Sequence, residues 1–159
     1  NKAKRELDRY LHYYQRYHGH DCALKYAHKD RIKAEERMIQ RQESDKSTWM
    51  EVQFLKNAVD QVIECRRVLK YTYVMGFFLL DDTPEKQLFE HHQEMLEKHT
   101  EKLHELTETS VEQLEQAHVV NVTRITDKFL TGLLQTCSGG FIHSGAGPGG
   151  AVAPGTDMK

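Results

Sequence analysis

The sequence predicts an all-α chain, an elongated antiparallel helical bundle of long helices followed by a disordered Gly-rich C-terminal tail. Three observations carry that prediction. Helix breakers are scarce before residue 138, where only Pro84, Gly19, Gly76 and Gly132 interrupt the chain. Apolar residues recur at steps of three and four, the spacing that lines one face of a helix. The balance of 38% hydrophobic and 29% charged residues suits helices that bury one stripe and solvate the rest.

The first element covers residues 2–43, as one helix or as two nearly collinear ones jointed near Gly19. Leu7, Leu11, Tyr14, Leu24, Ala27, Ala34 and Met38 fall on one face. Thr48-Trp49-Met50-Glu51 then has the pattern of a capping box, in which Thr caps a backbone N–H and Glu reaches back. The helix it opens carries Val52, Leu55, Val59, Val62, Leu69 and Tyr73, with Arg66 interrupting the apolar seam, and should run to about Leu80. Asp81-Asp82 is a polar break. Thr83-Pro84-Glu85 supplies an N-cap, a proline at the first helical position and an acid in the first turn. That helix should reach about Glu108, with Leu88, His92, Leu96, Leu103 and Leu106 on one side. Thr109-Ser110-Val111-Glu112 matches a further capping box. The last helix carries Val111, Leu114, His118, Val122, Ile125, Phe129 and Leu133. Short connections make neighbouring helices antiparallel. Two regions follow: a helical domain over 1–137, and a tail over 138–159 too poor in apolar residues to offset its chain entropy.

Composition excludes several classes of function. A net charge of −2 lacks the basic footprint of a nucleic-acid binder. The most apolar run, Val74–Leu80, is far below the roughly 20 residues that span a bilayer. Cys22, Cys65 and Cys137 form no C-x-x-C pair, so no Cys-based zinc module is expected, and free thiols point to the cytoplasm or nucleus. The opening Asn1-Lys2-Ala3-Lys4 enters helical sequence at once without Met or signal peptide, as a piece of a longer protein would.

Candidate chemistry is thin. Glu101-Lys102-Leu103-His104 and Glu115-Gln116-Ala117-His118 are Glu-x-x-His motifs, the spacing of carboxylate-bridged di-iron bundles. That spacing asks only for a helical i, i+3 pair, and such a site needs Glu from two further helices. His18 and Cys22, with His12, His20 and His28 nearby, could hold zinc, but a polar, Tyr-rich helix face explains them better. No cysteine has a nucleophile's local signature, and Cys65 reads as a buried spacer. Asn121-Val122-Thr123 is a glycosylation sequon placed mid-helix. Tyr10, Tyr13, Tyr14 and Tyr17 form a cluster that could pack or dock. We therefore expect no catalytic residue, no metal and no cofactor within this chain.

One feature stands out. Glu90, Glu94, Glu97, Glu101, Glu105 and Glu108 step by four, three, four, four and three along one helix face. Like charges at that spacing repel. Residues 1–43 meanwhile hold 11 Lys/Arg against 7 Asp/Glu. The stripe is either a solvated face or a surface for a basic partner.

Three segments carry a resemblance: NKAKRELDRYLHYYQRY at Asn1–Tyr17, TWMEVQFL at Thr48–Leu55 and ECRRVLKYTYVMGFF at Glu64–Phe78. Together they resemble the C-terminal Ariadne domain of the Ariadne subfamily of RING-between-RING ubiquitin ligases. The likeness is close over residues 1–108 and weak over 109–135. It implies that catalysis belongs to zinc-bound modules upstream, absent here, whose cysteine takes ubiquitin from a conjugating enzyme. It implies that this domain folds over that module, masks the cysteine, and is released by a neddylated cullin–RING ligase. It places the family's autoinhibitory contacts at Tyr26, Glu97 and Glu108, with Glu101 and Glu105 beside them on the same stripe. The acid expected next to the aromatic residue is replaced by Ala27. The last helix has Arg124 where the family has an Arg-rich run. The alternatives are a spectrin-like or coiled-coil interaction module unrelated to ubiquitin, and a di-iron bundle.

Overall fold

The computed structural model describes residues 1–45, 49–110 and 113–140. They form four helices: α1 (Lys2–Asp45), α2 (Trp49–Phe78), α3 (Pro84–Glu108) and α4 (Gln116–Gly140). At 1.5 Å per residue α1 is roughly 65 Å long, so the bundle is elongated. α1 runs through Gly19 without a break. α2 packs against each of the other helices, α4 lies mainly on α3, and α1 scarcely meets α3. A gap between α1 and α3, floored by α2, is the consequence.

Two apolar clusters hold the bundle. One joins Ala27, Met38, Val52, Leu55, Val62, Leu103, Val119 and Val122. The other joins Cys65, Leu69, Phe89, Leu96, Leu130 and Leu133. Each draws on at least three helices, so no helix buries its stripe alone. The α2 seam is as expected: Val52, Leu55, Val59, Val62, Leu69 and Tyr73 are all buried, and Arg66 is buried with them.

The α3 start also follows expectation. Thr83 has extended backbone, and its hydroxyl accepts from the Lys86 N–H, with Pro84 next and Glu85 in the first turn. The tight turn before it puts Asp82 at φ 59°, a left-handed conformation that Asp tolerates better than most residues. α2 ends at Phe78, two residues short of the expected stop, where the Leu79 N–H turns back to the Gly76 carbonyl. The capping box at Thr48-Trp49-Met50-Glu51 rests on Thr48 and the Glu51 side chain, which lie outside the described residues.

Four expectations are corrected. Thr109 closes α3 instead of opening α4: its hydroxyl donates to the Glu105 carbonyl and its N–H to that of Leu106. α4 starts only at Gln116; Val111 and Glu112 of the expected box lie outside the described residues. Second, the α4 core face is Val119, Val122, Thr126, Leu130 and Leu133, whereas His118 is exposed. The two stripes share Val122 and Leu133, and the expected Leu114 and Phe129 pack partly buried against the apolar clusters; Thr126 joins the core by donating its hydroxyl to the Val122 carbonyl. Third, α3 buries Phe89, Gln93, Thr100 and Thr107 along with Leu96 and Leu103, while Leu88 is exposed. Fourth, Leu7, Leu11 and Tyr14 are exposed. α2 stops near the level of Arg9, which donates to the Phe77 carbonyl, so the turn carrying Leu7 outruns its partner, whereas Tyr14 lies alongside α2 in a surface groove with Val74 and Phe77. At the other end α4 continues to Gly140, past the expected boundary at 138. The tail over 141–159 lies outside the described residues.

Candidate functional site

The gap between α1 and α3 is a cleft of about 740 Å³. Tyr26, Glu97, Glu101, Glu105 and Glu108 all line it, together with Gly19, His20, Arg66 and His104. The stripe therefore divides. Its last four members face the cleft; Glu90 and Glu94 lie outside it, with Glu90 3.9 Å from the Lys86 ammonium.

The acids differ in what holds them. Glu97 accepts from His20 Nε2 at 2.7 Å and from the Tyr73 hydroxyl at 3.1 Å. The His20 hydrogen bond, aided by the Tyr73 hydroxyl, keeps its carboxyl below the ordinary value of 4.5 against the opposing effect of burial. Tyr73 is pushed up, first by burial and then by the Glu97 charge. Glu101 accepts from Arg66 at 2.8 Å, which likewise lowers its carboxyl. Glu105 is exposed. Glu108 is also exposed and stands 3.7 Å from His104 Nε2. Tyr26 is 63% exposed at the rim, with the Lys29 ammonium 5.6 Å from its ring centre. Ala27, where the family's acid would stand, is only 1% exposed within the core. A carboxylate there would be buried, so this chain has no acidic arm at that position.

Four residues of the site were not picked out as such from sequence: His20, Asp30, Tyr73 and Arg66. Arg66 had a visible signal, a cation in an apolar seam. His20 was noted only as a candidate zinc ligand and Tyr73 only as a seam residue, and Asp30 had no signal, because their role depends on which helices become neighbours.

Asp30, His104 and Glu108 each offer one ligand atom, all within 4.8 Å of one another. Arg66 donates to His104 Nδ1 at 3.0 Å. Arginine has no acceptor and keeps its protons, so Nδ1 must present its lone pair. The ring proton then sits on Nε2, the nitrogen facing Asp30 and Glu108, which leaves no lone pair there for a metal. The arrangement aims the Nε2 proton at the two carboxylates. The remaining motif fares no better as a di-iron partner, since Glu115 and His118 are exposed. His20 is committed to Arg66 and Glu97, so the His18–Cys22 pair, 3.5 Å apart, cannot count on it. Cys65 is fully buried and its thiol is pushed up to about 11 by burial, an unreactive spacer. Asn121 accepts from Arg124 on the surface of α4. The tyrosine cluster does form a second groove of about 260 Å³: Tyr10, Tyr13, Tyr14 and Tyr17 meet Val74, Phe77 and Phe78. Among the described residues no helix is long and apolar enough to cross a membrane.

The two depressed carboxyls make stability depend on pH. A carboxyl lowered in the folded state contributes stability above its unfolded value and loses it as pH falls through the folded value. The domain should therefore weaken as pH drops below about 4.5. Urea midpoints between pH 7 and pH 3 check this, and Glu101→Gln should show the shallower decline. Equal slopes would remove Glu101 from the account.

Comparison with known proteins agrees with this architecture. The sequence model of the Ariadne domain matches residues 8–137. The chain is 38% identical over 152 residues to the probable E3 ubiquitin-protein ligase rbrA of Dictyostelium discoideum, covering 89% of this chain and 29% of that protein. It is 41% identical over 108 residues to the E3 ubiquitin-protein ligase dbl4 of Schizosaccharomyces pombe, covering 68% and 21%. It is 40% identical over 110 residues to the E3 ubiquitin-protein ligase ariadne-1 of Drosophila melanogaster, covering 69% and 22%. The chain thus spans less than a third of the curated relatives it matches. A family match over most of the helical region, on a four-helix fold with the resembling segments in order, makes the chain an Ariadne domain of the Ariadne subfamily of RING-between-RING ligases.

Proposed function

We propose that this domain is the autoinhibitory, partner-binding part of an E3 ubiquitin-protein ligase. Its α1–α3 cleft docks against the catalytic RING-type module of the same parent chain and masks the catalytic cysteine. The parent takes ubiquitin from a conjugating enzyme, binds zinc in its upstream modules, and is released by a neddylated cullin–RING ligase. Three free cysteines are in keeping with a reducing cytoplasm or nucleus.

One observation carries the reading: an aromatic residue of α1 and four carboxylates of α3, far apart in sequence, line a single cleft. Such a surface offers an aromatic anchor ringed by acids to a basic, partly apolar face. Release needs an activator with higher affinity for the open state, and the shift cannot exceed that differential affinity.

Glu97 is a poor choice for testing the idea, because removing it strands the His20 and Tyr73 donors and loosens the domain itself. Glu105 and Glu108 are exposed and avoid that confusion. In the full-length parent ligase, Glu105→Ala with Glu108→Ala should raise activator-independent discharge of ubiquitin on the order of tenfold, which corresponds to a loss of about 1.4 kcal/mol of docking. An unchanged basal rate in a folded double variant rejects the masking role.

A further inference from the structure

Arg66 sits in the middle of α2 at 3% exposure, a cation inside an apolar seam. One guanidinium nitrogen donates to His20 Nδ1 at 3.0 Å and to Glu101 at 2.8 Å. The other donates to His104 Nδ1 at 3.0 Å. Since the guanidinium can only donate, both imidazoles must turn a lone pair toward it and carry their proton on Nε2. That proton of His20 goes to Glu97 at 2.7 Å. That of His104 points between Asp30, 3.5 Å away, and Glu108, 3.7 Å away. The His104 Nε2 and the Asp30 Oδ2 are buried and otherwise without a partner among the described residues.

We propose that Arg66 is the positioning residue of the cleft: by fixing one tautomer in both His20 and His104, it sets the carboxylates of Glu97, Glu101, Glu108 and Asp30 before a partner arrives. Fixing these acids in advance lowers the ordering cost of binding. Filling the seam does not require an arginine, because buried ion pairs can be replaced by apolar residues of similar volume without loss of fold. The arginine is there for the geometry of the acids. Its effect on docking rests on the masking role proposed above; its effect on the imidazoles does not.

The first measurement is nitrogen-15 NMR of the imidazoles in the unaltered chain at neutral pH. His20 and His104 should both show a bare Nδ1 and a protonated Nε2. A protonated Nδ1 in either ring overturns the proposal, whatever any variant does. The second is basal ubiquitin discharge by the full-length parent carrying Arg66→Met, with helical content and melting of the same variant of this chain as the check on folding. The folded variant should lose the fixed tautomers and discharge ubiquitin several-fold faster than the unaltered ligase. Arg66→Lys keeps the charge but not the planar fork. It should fall between the two, and it stands in if the methionine variant does not fold. If Glu105→Ala with Glu108→Ala raises the basal rate while a folded Arg66 variant leaves it unchanged, the positioning role is wrong and the masking role stands. If neither changes the rate, the masking role fails, and the imidazole spectra alone decide for or against Arg66.

Discussion

Alanine in place of Phe89 should cost the domain roughly 3–5 kcal/mol, the usual range for deleting a buried aromatic ring. Phe89 is 0% exposed and heads the fully buried side chains by volume. It belongs to the cluster that joins α2 through Leu69, α3 through Leu96 and α4 through Leu130 and Leu133. Its ring edge lies 3.5 Å from where a Cβ on Gly76 would stand, so α2 packs closely on the ring. The cluster ties three helices together, so filling the vacated space would shift packing on all of them. Against a total of about 5–15 kcal/mol for a domain of this kind, the loss is large. It should appear in urea or guanidinium as a lower midpoint with an unchanged slope. The control is one residue away. Leu88 is 51% exposed, and Leu88→Ala should change stability by less than about 0.5 kcal/mol. Comparable losses in the two variants would mean that the register of α3 is wrong.

That pair of neighbours marks where sequence reasoning ends. The existence, order and approximate limits of four helices follow from the scarcity of breakers and from local signals such as Thr83-Pro84-Glu85. The α2 seam could be read in part, every residue named on it being buried, because its buried face is mostly apolar, although Phe54, Ala58 and Val68 beside it are buried as well. α3 was less legible. Its buried face carries Gln93, Thr100, His104 and Thr107, and a search for apolar residues at helical spacing passes over them and takes in the exposed Leu88. Gln93 and His104 are matched by partners on α2, with Gln93 donating to Thr72 at 2.8 Å and Arg66 donating to His104 at 3.0 Å, and such pairs leave no periodic trace. The Thr109 box put the start of α4 too early: Thr109 closes α3, and α4 begins at Gln116. The cleft was legible in one respect only. Periodicity put the glutamates on one face, and family resemblance added Tyr26. That those two sets share a cavity depends on α1 and α3 both leaning on α2 and hardly on each other. Arg66 shows the limit from the other side, since a cation in an apolar seam was visible, and His20 and His104 were noted as candidate ligands, while their pairing with Arg66 was not.

Tyr26→Ala should have the largest effect on docking with the least effect on folding. The ring is 63% exposed and stands at the cleft rim. Its removal touches neither apolar cluster nor the Arg66 contacts, so stability should change by less than about 0.5 kcal/mol. In a docked state the same ring would sit beside four carboxylates on a surface that excludes water. Aromatic anchors in such places carry about 2 kcal/mol or more. A loss of about 2 kcal/mol weakens docking roughly 30-fold. Basal discharge by the full-length parent follows the open fraction, so it should rise by a similar factor as long as the closed state dominates. Single-turnover discharge from a preloaded conjugating enzyme, without activator, measures this directly. Tyr71 is a suitable control: it is 54% exposed, lies on α2 and packs edge-on against Tyr17, outside the cleft. Tyr71→Ala should leave the basal rate unchanged. If it raises the rate as much as Tyr26→Ala does, the effect comes from the bundle at large and not from the cleft. If Tyr26→Ala leaves the rate unchanged while the Glu105 and Glu108 pair raises it, docking is electrostatic alone. The basal rate of the unaltered ligase should then climb with ionic strength, as screening weakens exposed charge contacts, whereas a dock anchored by the Tyr26 ring should hold.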